Sequence, residues 1–187
     1  MSGDYAIGLL TIITGLAIAD VVTSLHTLLI NRKRVQWDWL TLLAALFIVL
    51  LIIAIWSISY RDAGSRNFNP PLWEFAGRLF QIVPMYLAAR AILPDEVGKD
   101  GVSLAAHYAD VSRYFWGSIA LTYALYLGFL LIEGGTRGLM ASNLSPAVQL
   151  VLMSILIAVP RRAVHMVLVP ICFALLCFNH LFHPMFG

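Results

Sequence analysis

Residues 5–30 read YAIGLLTIITGLAIADVVTSLHTLLI, and this stretch decides the class of the fold. Apart from Asp20 it carries no formal charge with His26 neutral. A helix of that length, at about 1.5 Å per residue, outruns the roughly 30 Å of hydrocarbon in a bilayer. The stretch lacks a basic leading region and a small-residue cleavage site, and it is too long for a secretory signal, so a retained membrane helix is expected. A carboxylate in the middle of such a helix costs about 2.5–3.5 kcal/mol on insertion scales. Asp20 is therefore expected to face protein or water and not lipid.

The rest of the chain agrees. Of 187 residues, 60% are hydrophobic and 12% charged, against about 25% charged in a soluble domain. The mean hydropathy is +0.85. A net charge of +2 without a long basic patch argues against nucleic acid as a partner. Cys172 and Cys177 would point about 140° apart on one helix, which suits two inert thiols better than a disulfide.

Six apolar segments, at approximately 5–31, 38–60, 71–93, 105–133, 143–160 and 162–183, are long enough or nearly so to cross a bilayer. Trp37 and Trp39 open the second, and Trp56 and Tyr60 stand near its far end, as in aromatic belts. Pro70 and Pro71 suit the entry to the third helix, Pro84 its interior and Pro94 its stop. Ser145-Pro146 reads as the cap and first turn of the fifth, and Gly134 to Gly138 as a turn before it. No internal repeat stands out, and the connections are too short for a second domain. The expected fold is all-α: one polytopic transmembrane bundle over 1–187, with about six spans.

Lysine and arginine set the orientation. Arg32, Lys33, Arg34, Arg90, Lys99, Arg113, Arg161 and Arg162 fall on one side, and Arg61, Arg66 and Arg137 on the other. The positive-inside rule then places the first group in the cytoplasm, with both termini outside.

Two helix faces carry polar residues. Around Asp20, at 100° per residue, Thr23, Ser24, Thr27 and Asn31 share one face from the acid to the cytoplasmic end, about 16 Å. Hydroxylated residues of this kind favour a packing seam between membrane helices over a hydrated vestibule; the carboxylate brings the two readings level. On the third helix Glu74, Arg78 and Gln81 lie within about 60° of one another. Glu74 is the local partner for Arg78 in a favourable i, i+4 order. Asp20 is the alternative partner, but depth opposes it: counted from the outer ends, Asp20 lies about 22 Å in and Arg78 about 10 Å.

The remaining polar residues point to no cofactor. His180-x-x-His183 reads as an interfacial pair, since no further acid or cysteine follows to complete a metal site. His26 and His165 both lie toward cytoplasmic ends, but haem ligation by such a pair is not favoured. Lys33 and Lys99 both lie outside the spans, which argues against a retinal Schiff base. HExxH, GxSxG, P-loop and GxGxxG motifs are absent from the sequence, and the reading leans away from an enzyme.

Three further stretches are distinctive: Arg32-Lys33-Arg34-Val35-Gln36-Trp37-Asp38-Trp39, Pro84-Met85-Tyr86-Leu87-Ala88-Ala89, and His107-Tyr108 ahead of Arg113-Tyr114-Phe115. In this order and spacing the chain resembles a family of small bacterial integral membrane proteins of unassigned activity, over about its first 120 residues. The resemblance implies a bacterial inner (cytoplasmic) membrane and transfers no site residue. The leading functional expectation is a channel or transporter for an ion, proton or small polar solute. Asp20, Thr23, Ser24 and Thr27 would serve its inner half and Glu74, Arg78 and Gln81 its outer half. The alternative is a non-transporting accessory or sensor protein acting through helix packing and partner contacts. In either case the expected partners are the lipid bilayer and further copies of the chain, as a homo-oligomer.

Overall fold

The computed structural model describes the backbone at 3–64, 72–141 and 145–181, and the side chains at 8–60, 76–77, 79–132 and 145–179. These residues form six α-helices: α1 (Gly3–Ile30), α2 (Trp39–Gly64), α3 (Leu72–Ala91), α4 (Leu104–Ala141), α5 (Ser145–Ala158) and α6 (Arg162–Leu181). Two short strands, β1 (Val35–Gln36) and β2 (Val102–Ser103), and a 3-10 turn (Arg32–Arg34) complete the regular elements. Four helices contain stretches long and apolar enough to span a membrane: Gly8–Ile30, Trp39–Tyr60, Leu104–Ile132 and Arg162–Asn179. The protein is a membrane protein, folded as an all-α helical bundle.

One expected boundary is displaced. The run Gly134 to Gly138, read as a turn, belongs to α4, which continues for 38 residues to Ala141. Each glycine costs a helix about 1 kcal/mol. Where water is scarce, leaving backbone groups unpaired costs several times more, so the ladder of hydrogen bonds continues through the glycines. The 14 residues of α5 reach only about 21 Å, short of the hydrocarbon thickness.

Helix α3 packs on α4 and α1, α4 on α5, and α2 on α1 and α6. The centre is aromatic: Trp116 lies with its ring 4.8 Å from Phe115 and 5.6 Å from Phe47, and all three side chains are fully buried. At the far end of α2, Trp56 stacks on Tyr60 at 5.4 Å. Its indole N–H also donates to Thr11 Oγ1 of α1 at 3.0 Å. Pro84 interrupts the backbone ladder within α3, and Thr122 of α4 donates its hydroxyl to the nearby carbonyl of Gln81 at 3.4 Å. Gln149 of α5 similarly donates to the carbonyl of Cys172 in α6 at 3.3 Å. Cys172 and Cys177 are both free thiols, the first buried.

The three basic turns meet at one end of the bundle. β1 and β2 pair in parallel, Val35 with Val102 and Gln36 with Ser103, joining the α1–α2 and α3–α4 connections. The approach is close at Gly101, whose φ of +87° suits glycine and whose missing Cβ would overlap the Arg34 carbonyl oxygen. Arg162, at the start of α6, reaches Asp38 at the start of α2 and brings in the third turn. The loops grouped by charge in the sequence are grouped in space.

Candidate functional site

Asp20 is paired, and its partner is Arg90. Helices α1 and α3 pack together, which brings Arg90 Nη1 to 3.4 Å from the buried Oδ2 of Asp20. That oxygen makes no well-formed hydrogen bond, so the contact is an ion pair of loose geometry. Arg90 Nη2 lies 3.4 Å from Asp95 Oδ2, in the α3–α4 connection. One guanidinium is thus shared at equal distance between an acid on a membrane helix and an acid on a loop. The Tyr86 hydroxyl lies close enough to interact with both Asp20 and Arg90. The side chains are 28% exposed at Asp20, 52% at Arg90 and 55% at Asp95.

Depth explains the pairing. Arg90 is the penultimate residue of α3, about 18 Å beyond Arg78 along the helix. One turn beyond Asp20, α1 meets the α3–α4 connection, where Ser24 donates its hydroxyl to Asp95 Oδ1 at 3.0 Å. Asp20 therefore stands level with the end of α3. Weighing only Glu74 and Asp20 as partners for Arg78 missed Arg90 and Asp95. The signal was present in Ala89-Arg90-Ala91-Ile92-Leu93-Pro94-Asp95, a cation at a helix end followed by an acid past a proline stop.

The rest of the α1 stripe is mostly turned on its own helix. Thr27 donates to the Thr23 carbonyl at 3.1 Å and Asn31 donates to the Thr27 carbonyl at 2.9 Å. Thr23 is exposed and Thr27 half-buried. Gln81 is half-buried on α3. The side chains of Glu74 and Arg78, like His180 and His183, lie outside the described residues.

A second charged cluster sits at the same end of the bundle and differs in kind. Asp38 is buried, and its carboxylate accepts the backbone N–H of Thr41 at 3.2 Å, the Thr41 hydroxyl at 2.8 Å, and Arg162. The Thr41 hydroxyl is also 3.1 Å from the carbonyl of Leu104, the first residue of α4. One acid thereby ties α2, α4 and α6 together with its oxygens occupied. Nearby, His107 of α4 is hydrogen-bonded to the carbonyl of Ala91 at 3.0 Å, holding the end of α3.

Beneath Asp38 runs a buried relay. Trp116 Nε1 donates to the Tyr108 hydroxyl at 2.9 Å, and that hydroxyl lies 2.8 Å from His165 Nδ1. An indole can only donate, so the phenol accepts from it; giving its own proton to Nδ1 is the arrangement in which that proton also finds an acceptor. Neutral His165 then carries its proton on Nε2. That nitrogen is buried without a hydrogen-bond partner among the described residues. His165 thus faces Tyr108 and not His26, which is exposed. Among the described residues no three His, Cys, Asp or Glu side chains come together as a metal site.

The chemistry available at this end is therefore one saturated acid, one aromatic relay of fixed direction, and one loosely held carboxylate at Asp20 with a shared counter-ion. No family model, curated protein or solved structure matches the chain.

Proposed function

We propose that the protein is a channel or transporter for a proton or small cation, with Asp20 as the binding carboxylate and Arg90 as its resident counter-ion. The observation that carries this reading is the contrast between the two acids. An acid used only to fasten helices looks like Asp38: buried, with hydrogen bonds from Thr41 and Arg162. Asp20 keeps a buried oxygen without a hydrogen bond and, among the described residues, shares its cation Arg90 with Asp95. Arginine does not lose its proton, so it acts as a tethered cation. When Arg90 moves fully to Asp95, Asp20 is left to take a proton or a cation in its place; when Arg90 returns, the bound ion leaves. In this reading Thr23, Ser24 and Thr27 serve the inner approach and Gln81 the outer one.

The test is ion flux into proteoliposomes of the purified chain. Wild type should show pH-dependent flux, and Asp20→Asn, which keeps shape and removes the charge, should abolish it while the helical content stays unchanged. Asp95→Asn removes the second seat of Arg90 and should slow flux without abolishing it. Wild-type pH dependence in the Asp20→Asn protein would sink the proposal.

The alternative, an accessory or sensor protein, draws on a different observation. Thr27 and Asn31 spend donors on their own helix, and Ser24 fastens a loop, as packing residues do. If wild-type vesicles pass no proton, sodium or potassium, this reading takes the place of the first. Both readings carry the same setting: a bacterial inner membrane, basic turns in the cytoplasm, and a self-associated bundle. Mass measurement in native-like lipid checks the last.

A further inference from the structure

We propose that the turn Arg32–Lys33–Arg34 is a binding site for the headgroup of an anionic phospholipid in the leaflet at that end of the bundle. All three side chains are exposed, and none makes an ion pair with a described residue. The nearest acid in sequence, Asp38, is turned inward and taken by Arg162 and Thr41. Three cations therefore stand together with no carboxylate within ion-pair distance among the described residues, Asp100 beside Gly101 being the other acid near the turn.

Their arrangement is held. They form a single 3-10 turn, closed by the Arg34 N–H to the Asn31 carbonyl at 2.8 Å. The chain then enters β1, paired with β2, and Gly101 lies against the Arg34 carbonyl. Orientation by the positive-inside rule needs the charges and not a fixed platform beneath them. A fixed platform lowers the ordering cost of binding a phosphodiester.

The flanks indicate lipid over a free anion. Trp37 and Trp39 are 41% and 50% exposed, on either side of the inward-facing Asp38. Trp39 opens α2, a membrane-spanning helix, and so stands at the boundary between water and hydrocarbon. Neither indole N–H has a partner among the described residues. Such rings sit at headgroup level, with the apolar body toward acyl chains and the N–H toward phosphate and glycerol oxygens. The site thus offers cations to a phosphate and aromatic surface to the top of the chains, a combination that inorganic phosphate uses only in part.

Native mass spectrometry of the purified full chain, released from nanodiscs of mixed phosphatidylglycerol and phosphatidylcholine, tests this. Wild type should retain phosphatidylglycerol selectively. A basic residue near an anionic surface contributes about fivefold in affinity, so the triple variant Arg32→Gln, Lys33→Gln, Arg34→Gln should lose about a hundredfold. The single variants should lose about fivefold each, and they decide the matter if the triple does not fold. Lys99→Gln with Arg113→Gln, on the same end but outside the turn, should keep wild-type selectivity. Equal retention of the two lipids by wild type would overturn the proposal, as would unchanged selectivity in the turn variants. An equal loss in the Lys99 and Arg113 variant would overturn it too, by assigning the effect to diffuse charge. Full displacement of the lipid by millimolar inorganic phosphate would make this a free-anion site.

Discussion

Replacing Gly101 by alanine should cost more than any comparable glycine substitution on this end of the bundle. Two separate terms contribute. The φ of +87° places an L side chain in a left-handed conformation that costs about 1–2 kcal/mol. The new Cβ would also overlap the Arg34 carbonyl oxygen and lie 3.3 Å from its carbon. These are backbone atoms just before β1, so relief requires the Val35–Val102 pairing to open, and each strand hydrogen bond is worth about 0.5–1.5 kcal/mol net. Together the penalty should be about 2–4 kcal/mol, a sizeable part of the 5–15 kcal/mol typical of a folded domain. The assay is reversible unfolding in mixed micelles, with hydrogen exchange resolved at residues 34–36 and 101–103. Gly98→Ala is the control: its Cβ would meet only the Gly101 carbonyl oxygen at 3.8 Å, an ordinary contact, so its effect should stay within about 0.5 kcal/mol. If Gly101→Ala matches Gly98→Ala, or exchange at the paired strands does not rise, the account of this end as a strand-clamped platform is wrong.

Other consequences are open to measurement. Tyr108→Phe removes the proton given to His165 Nδ1 and leaves Trp116 without its acceptor, which should cost about 1–3 kcal/mol. Nitrogen-15 NMR should show neutral wild-type His165 as a single tautomer protonated on Nε2, and a mixture of tautomers in the Tyr108→Phe protein. Arg162→Met strips a buried carboxylate of its counter-ion; breaking such pairs costs about 3–5 kcal/mol when fully buried. The value should fall below that range here, because Arg162 is 49% exposed and Asp38 keeps its Thr41 bonds. A larger loss for Arg90→Met than for Arg162→Met would contradict the view of Asp20 as the loosely held acid. Gly77→Ala would push a methyl into the ring of Phe129 on α4. It should destabilise the α3–α4 contact by about 1–3 kcal/mol, as overpacking does, read by the same unfolding assay.

Much of this protein is legible along one dimension. Hydrocarbon contains no water, so a spanning segment must satisfy its backbone internally and be apolar for its whole length. That rule marks α1, α2, α4 and α6 without reference to any neighbour. The count of lysines and arginines grouped the three basic turns, and the stripe beside Asp20 marked the face of α1 that carries Ser24. Partner choice is another matter, because it depends on relative depth and on which helices touch. From spacing alone Asp20 competed for Arg78; the packing of α1 on α3 set it level with the end of α3, beside Arg90. His26 and His165 looked alike as residues near helix ends, and only the tertiary structure buries one against Tyr108 and leaves the other exposed. Asp38, between two tryptophans, carried no expectation of its own from the sequence, and the approach of α6 made it the buried anchor of three helices. Hydrophobicity is a property each residue carries along the chain, and so it sorted segments into membrane and loop. Ion pairs and hydrogen bonds form only within a few ångströms, so which charge answers which was decided by how the helices came together.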